Sequence, residues 1–128
     1  MQASCCCGQV RIELAGDPVF NGVCHCDNCR RRTGSAFGWS VYFAETALAE
    51  PETASAAYVF ESASGRQERR FCPACGSTVY WRSAAFSGLV GVAGGCLATE
   101  DLGAPGVSAT DSRRLAWVRL PENLQRWS

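Results

Sequence analysis

The chain has no lysine. All 12 of its basic residues are arginines, they are matched by 12 acidic residues, and the formal net charge at pH 7 is zero. That balance argues against a general nucleic-acid binder, which would carry a basic excess. The arginine-only usage carries no functional reading of its own. No apolar run approaches the length of about 20 residues that a bilayer-spanning helix requires, so no membrane partner is expected. The start, Met1-Gln2-Ala3-Ser4-Cys5, lacks the basic region and apolar stretch of a signal peptide. A cytoplasmic protein with reduced thiols is therefore expected. Internal repeats, low-complexity tracts, linkers and long helical periodicity are all missing. A chain of 128 residues is then read as a single domain, 1–128.

Cysteine is what the chain has in excess, with nine. An odd count in a reducing compartment argues against a disulfide framework. Seven of the nine fall into three short clusters: Cys5-Cys6-Cys7-Gly8, Cys24-His25-Cys26-Asp27-Asn28-Cys29 and Cys72-Pro73-Ala74-Cys75-Gly76. Zn²⁺ prefers thiolates and is satisfied by a tetrahedron of them. Two or three residues apart on a tight turn, two sulfurs can point at one ion.

The stretches between the clusters read as short strands. Val10-Arg11-Ile12-Glu13-Leu14 alternates apolar and charged residues. Val19–Val23 is short and apolar. Phe37–Phe43 alternates again, with Trp39, Val41 and Phe43 on one face and Ser40 and Tyr42 on the other. Tyr58–Phe60, Gln67–Phe71, Thr78–Arg82, Leu89–Ala93 and Ala116–Leu120 follow. Cys26–Thr33 reads as a polar knuckle with room for a helical turn, and Glu45–Glu50 as one short helix before Pro51. Many short strands separated by turn residues predict a mainly β fold.

A pair of cysteines cannot close a tetrahedral site alone. Joining Cys5 and Cys7 to Cys72 and Cys75 gives a closed four-thiolate site. Such sites are structural and contribute directly to folding. The glycine after each pair lets the chain turn and brings backbone amides toward the sulfurs. Cys24, Cys26 and Cys29 remain, and three thiolates from one segment can hold zinc with a position open, the mark of a reactive site. In the alternative partition one of these three joins the structural site. His25 lies between two of them and in extended backbone would point the other way, which favours a supporting role over ligation. Arg30, Arg31 and Arg32 would offset the charge of such a centre and could hold a substrate carboxylate, or form a solvated basic surface. Cys6 should point away from its neighbours, and Cys96 reads as a small buried apolar residue.

These residues resemble the glutathione-dependent formaldehyde-activating enzyme family, which also includes centromere protein V-like proteins. The likeness begins at Cys5-x-Cys7-Gly8 with the Val10-Arg11-Ile12 strand. It continues through Cys24-His25-Cys26-x-x-Cys29-Arg30, Thr33-Gly34-Ser35-Ala36-Phe37 and Phe71-Cys72-Pro73-x-Cys75-Gly76-Ser77. Weaker echoes follow at Gly94-Gly95-Cys96-Leu97 and Trp117-Val118-Arg119-Leu120-Pro121. The resemblance implies a β-tent fold of antiparallel sheets built around a structural zinc at Cys5, Cys7, Cys72 and Cys75. It implies a second zinc at Cys24, Cys26 and Cys29. It also implies a carbon–sulfur lyase that adds a thiol such as glutathione to formaldehyde, giving S-hydroxymethylglutathione. A non-enzymatic zinc module that binds a ligand or partner protein is the competing reading. A methionine sulfoxide reductase of related fold fits less well, because the first pair is Cys-x-Cys and Cys96 lacks the expected polar and aromatic neighbours.

Overall fold

Ten strands make up the sheets of the computed structural model, which describes residues 1–49, 51, 54–97, 100 and 102–128. They are β1 (Gln2–Ser4), β2 (Arg11–Glu13), β3 (Phe20–Cys24), β4 (Gly38–Ala44), β5 (Ala56–Ser62), β6 (Gly65–Phe71), β7 (Thr78–Ser83), β8 (Leu89–Ala93), β9 (Val107–Ala109) and β10 (Gln125–Arg126). One α-helix, α1 (Asp27–Thr33), stands between β3 and β4. Among the described residues no helix is long and apolar enough to cross a membrane.

β1 and β2 form a two-stranded antiparallel ribbon. The other strands form one sheet in the order β10-β9-β3-β4-β8-β7-β6-β5. The expectation of antiparallel sheets needs correction here. β9 runs parallel to β3, and β10 parallel to β9. The cause is a long return of the chain, which brings Val107 back beside Gly22 in the same direction.

Register separates the two faces of this sheet. Phe20, Tyr42, Gly91, Trp81, Arg69 and Tyr58 lie opposite one another across β3, β4, β8, β7, β6 and β5. Directly opposed residues share a face, and neighbours along a strand do not. Val41, Phe43, Tyr80, Val90 and Val92 therefore point the other way. There they are buried with Ala3, Val10, Ile12 and Leu14 of the ribbon region. The core thus sits between ribbon and sheet, and the face bearing Trp81 and Tyr42 is left for something else.

Two further sequence expectations fail in the fold. Ala116–Leu120 is not a strand: Val118 N donates to Leu115 O, while Arg114 and Arg119 side chains occupy the carbonyls of Val118 and Ala116. Only Val118 of this stretch is buried, and Trp117 is 71% exposed. Alternating apolar residues without a neighbouring strand edge do not make a strand. The helix expected over 45–50 is a single 3₁₀ turn, Glu45–Ala47, and Glu50 lies outside the described residues.

Candidate functional site

The first and third cysteine clusters are two matching knuckles. Gly8 N donates to Cys5 O and Gly76 N to Cys72 O. Both glycines adopt positive φ, 82° and 80°, a conformation that a side chain would strain. Folding brings the two knuckles together. The sulfurs of Cys5, Cys7, Cys72 and Cys75 lie within 4.8 Å of one another. Cys7 Sγ is 3.7 Å from both Cys5 Sγ and Cys72 Sγ. Four thiolates at about 2.3 Å from a tetrahedral zinc would stand about 3.8 Å apart, so the quartet fits that ion. Cys5 and Cys72 are buried in the core, while Cys7 and Cys75 are exposed.

The proton affinities of the quartet diverge because close-packed sulfurs compete for protons. The Ser77 hydroxyl, with the amides of Ser77 and Cys7, holds Cys75 down at about 5. The Gln9 amide favours the Cys7 thiolate, but desolvation and the three neighbouring sulfurs outweigh it and push Cys7 up to about 11. Burial raises Cys5, yet the Val10 amide and the sulfurs of Cys7 and Cys72 more than compensate, and its shift is downward. A set that cannot ionise together unaided is a donor set suited to a cation.

Cys24, Cys26 and Cys29 also have their sulfurs within 4.8 Å of one another, and each is half-buried. This trio lies at the junction of β3 and α1. Cys24 ends β3, and Cys26 is the N-cap of α1, its sulfur accepting from Cys29 N at 3.4 Å. Cys24 falls on the same face as Tyr42 and Trp81, because it pairs with Gly38, four residues before Tyr42. The ribbon and Cys5 lie on the other face. A hydrogen bond from Cys29 holds Cys24 down at about 5. Cys29 is pushed up as that donor, with burial adding to the effect.

α1 is seven residues long and buries none of them. A helix this short is not stable by propensity, so its ends hold it. Asp27 opens the first turn, Arg30, Arg31 and Arg32 fill the last, and Gly34 N closes on Arg30 O. These charges suit the helix dipole. Polar ties dock it: Arg113 to Asp27 at 2.8 Å and Arg69 to Asn28 at 2.7 Å.

His25 lies between Cys24 and Cys26 in sequence and faces away, as its alternation predicts. It is fully buried, and its Nε2 meets Ser108 Oγ at 2.9 Å. Ser108 in turn donates to Asp111 Oδ1 at 2.7 Å, and Arg126 donates to the same carboxylate. Ser108 and Arg126 hold the Asp111 carboxyl below its ordinary value, and burial does the same to the His25 imidazolium. The neighbouring Thr110 has φ of 51°, a rare conformation for a β-branched residue, and its hydroxyl lies 3.8 Å from Cys24 Sγ. His25 N also donates to Ala109 O. Residues 108–113 are thus the cradle of the trio. Sequence reasoning missed them: they stand more than 80 residues away in the chain, and only a Ser-x-Thr-Asp turn cluster marks them.

Cys6 is exposed, and its amide donates to Ser77 Oγ. Cys96 is half-buried rather than buried, with its sulfur 3.8 Å from Thr78 O. A cleft of about 410 Å³ opens elsewhere, beside Glu45, Arg66, Glu68 and Arg82. Its charges pair among themselves, Arg82 with Glu45 and Arg66 with Glu68, and it contains none of the cysteines.

The crystal structure of a Rhodobacter sphaeroides protein, solved as a structural-genomics target, superposes with a TM-score of 0.62 at 22% identity. It covers 77% of this chain and 88% of its own, and at that identity the likeness is one of fold. No curated protein matches the chain. The model of the family described as glutathione-dependent formaldehyde-activating enzyme matches residues 1–110. That span takes in both cysteine sets, both knuckle glycines and the Thr110 that touches Cys24, and the chain belongs to this family.

Proposed function

We propose that the chain is a single zinc-binding β domain of the β-tent type. It works in the cytoplasm as a carbon–sulfur lyase, joining a thiol such as glutathione to formaldehyde or a related small aldehyde. Cys5, Cys7, Cys72 and Cys75 hold a structural zinc in this reading, and Cys24, Cys26 and Cys29 hold a second at the reacting site. One observation carries the proposal. The trio gathers three sulfurs, and among the described residues no fourth His, Cys, Asp or Glu joins them. When bound there, zinc supplies an electropositive centre that favours the thiolate of an incoming thiol.

The chain's own residues do the rest. The trio is anchored from two sides, by the β3 ladder and by the cradle at 108–113. The net reaction forms a sulfur–carbon bond and opens the carbonyl π bond. The thiol proton ends on the former carbonyl oxygen, so no electron or proton is gained or lost. We assign the donor to that oxygen as Tyr42. Burial raises its proton affinity, keeping it protonated. Trp81 Nε1 donates to the Tyr42 oxygen at 3.1 Å, which leaves the Tyr42 O–H free to donate a hydrogen bond to the substrate oxygen, while the proton that oxygen keeps is the thiol's. A hydrogen-bond donor aimed at developing oxyanion charge is a major source of catalysis.

The test uses ¹³C-labelled formaldehyde and glutathione. Their spontaneous exchange with the S-hydroxymethyl adduct is timed by NMR with and without zinc-loaded protein. We expect acceleration by the wild-type chain and none by Cys24→Ser. No acceleration by protein carrying metal at both clusters would refute the reading.

A further inference from the structure

We propose that Arg32 and Arg69 form a carboxylate-binding subsite beside the trio, where they hold the acid group of a reactant. The inference rests on the reading of the trio as the reacting site. The Arg32 guanidinium lies over the Trp81 ring, 4.3 Å from its centroid. Arg69 lies over Phe60, 4.8 Å from that ring. Arg69 and Trp81 are opposite each other in the ladder, so two cations flank one indole. Both sit on the face that carries Cys24 and Tyr42.

Among the described residues neither guanidinium meets an acid. Every ion pair among the described residues uses some other arginine. Among the described residues Arg69 donates to a neutral amide oxygen, that of Asn28. Arg32 Nη2 is buried with no hydrogen-bond partner. An orphan buried N–H costs free energy until an acceptor arrives. Burial and the charge of Arg32 together lower the proton affinity of Arg69, as expected of two like charges held close.

The site also lies against the trio. A side chain at Gly38 would meet Arg32 Nη2 at 2.6 Å and Cys29 Cβ at 3.1 Å. The guanidinium and the cysteine share that small space, which only a glycine leaves open.

The guanidinium fork matches a carboxylate in shape, and aromatic floors fix its plane. The acid can belong to the thiol or to the aldehyde.

Calorimetric titration of the zinc-loaded protein tests this. The probes are propionate, 3-mercaptopropionate, glyoxylate and the neutral 2-mercaptoethanol. We expect 3-mercaptopropionate or glyoxylate to bind about tenfold or more tighter than 2-mercaptoethanol, the scale of one charge-assisted hydrogen-bonded contact. Arg69→Met and Arg32→Met should each remove most of that preference. Whichever acid loses more shows whether the carboxylate rides on the thiol or on the aldehyde. Equal losses for acidic and neutral probes, or loss of zinc with affinity, would reduce the arginines to counterions and overturn the proposal. If Arg32→Met does not fold, Arg69→Met on the strand decides alone. Protein that binds propionate without speeding the formaldehyde exchange keeps the subsite and loses the lyase. Protein that speeds the exchange with no preference for acids does the reverse.

Discussion

Replacing Cys72 by serine should unfold the protein, while replacing Cys24 by serine should leave it folded and short of one ion. A structural zinc set binds with about 10–16 kcal/mol of apparent free energy, and a domain is stable by only about 5–15 kcal/mol. Release of the ion on loss of one quartet sulfur therefore removes an amount comparable to the whole reserve of a domain. Geometry adds to the cost. Cys72 is fully buried, and its partner Cys5 follows directly on β1. Releasing the quartet frees the ribbon, whose Val10, Ile12 and Leu14 are buried against the sheet and contribute roughly 1.5–3 kcal/mol each. Cys24 differs on both counts. It is half-buried and lies on the opposite face. Its segment keeps ties that need no sulfur: His25 to Ser108, His25 N to Ala109 O and Asp27 to Arg113. Far-UV circular dichroism with zinc per chain, read on both variants, decides. A folded Cys72→Ser protein, or an unfolded Cys24→Ser protein, would exchange the roles assigned to the two sets.

Three further outcomes follow from particular contacts. Thr110→Gly should raise stability by about 0.5–1 kcal/mol, because relief of about 1–2 kcal/mol of left-handed strain outweighs the added chain entropy of glycine; a lower denaturant midpoint would show that the Thr110 hydroxyl on Cys24 matters more than the strain. Ser108→Ala should cost about 1–3 kcal/mol in denaturant unfolding, since it leaves the buried His25 imidazole with no partner on either nitrogen; a neutral result would mean that another group serves His25. Tyr42→Phe should slow the formaldehyde exchange by about 10²–10³-fold while the fold and zinc content stand; an unaltered rate would remove Tyr42 from the chemistry.

Cysteine spacing made both sulfur sets readable in the chain, because ligand pairs on short knuckles are local events. The strands around β4 and β6–β8 were readable for the same reason: their alternation is in the sequence and their burial follows it. What could not be read depends on distant partners. β1, β9 and β10 are two or three residues long, too short for any period to declare itself. Ala116–Leu120 has the alternation and no strand beside it. Tyr42 was placed on its face by alternation, but its bond to Trp81 crosses β8, where Gly91 lets the indole through: a side chain there would strike Trp81 Nε1. Arg32 stands out in the chain by the charge of its arginine run. Arg69 carries no local signal, since only the register of β6 with β7 brings it to the same indole.

The helix above the sheet owes nothing to the core. Because α1 commits no apolar side chain inward, an exchange at the exposed Arg31 carries little folding penalty. Selection can therefore redraw the rim over the sulfurs, altering which molecules are welcomed, while the scaffold beneath goes unrevised. A lineage of such proteins could diverge widely in diet yet remain alike in architecture.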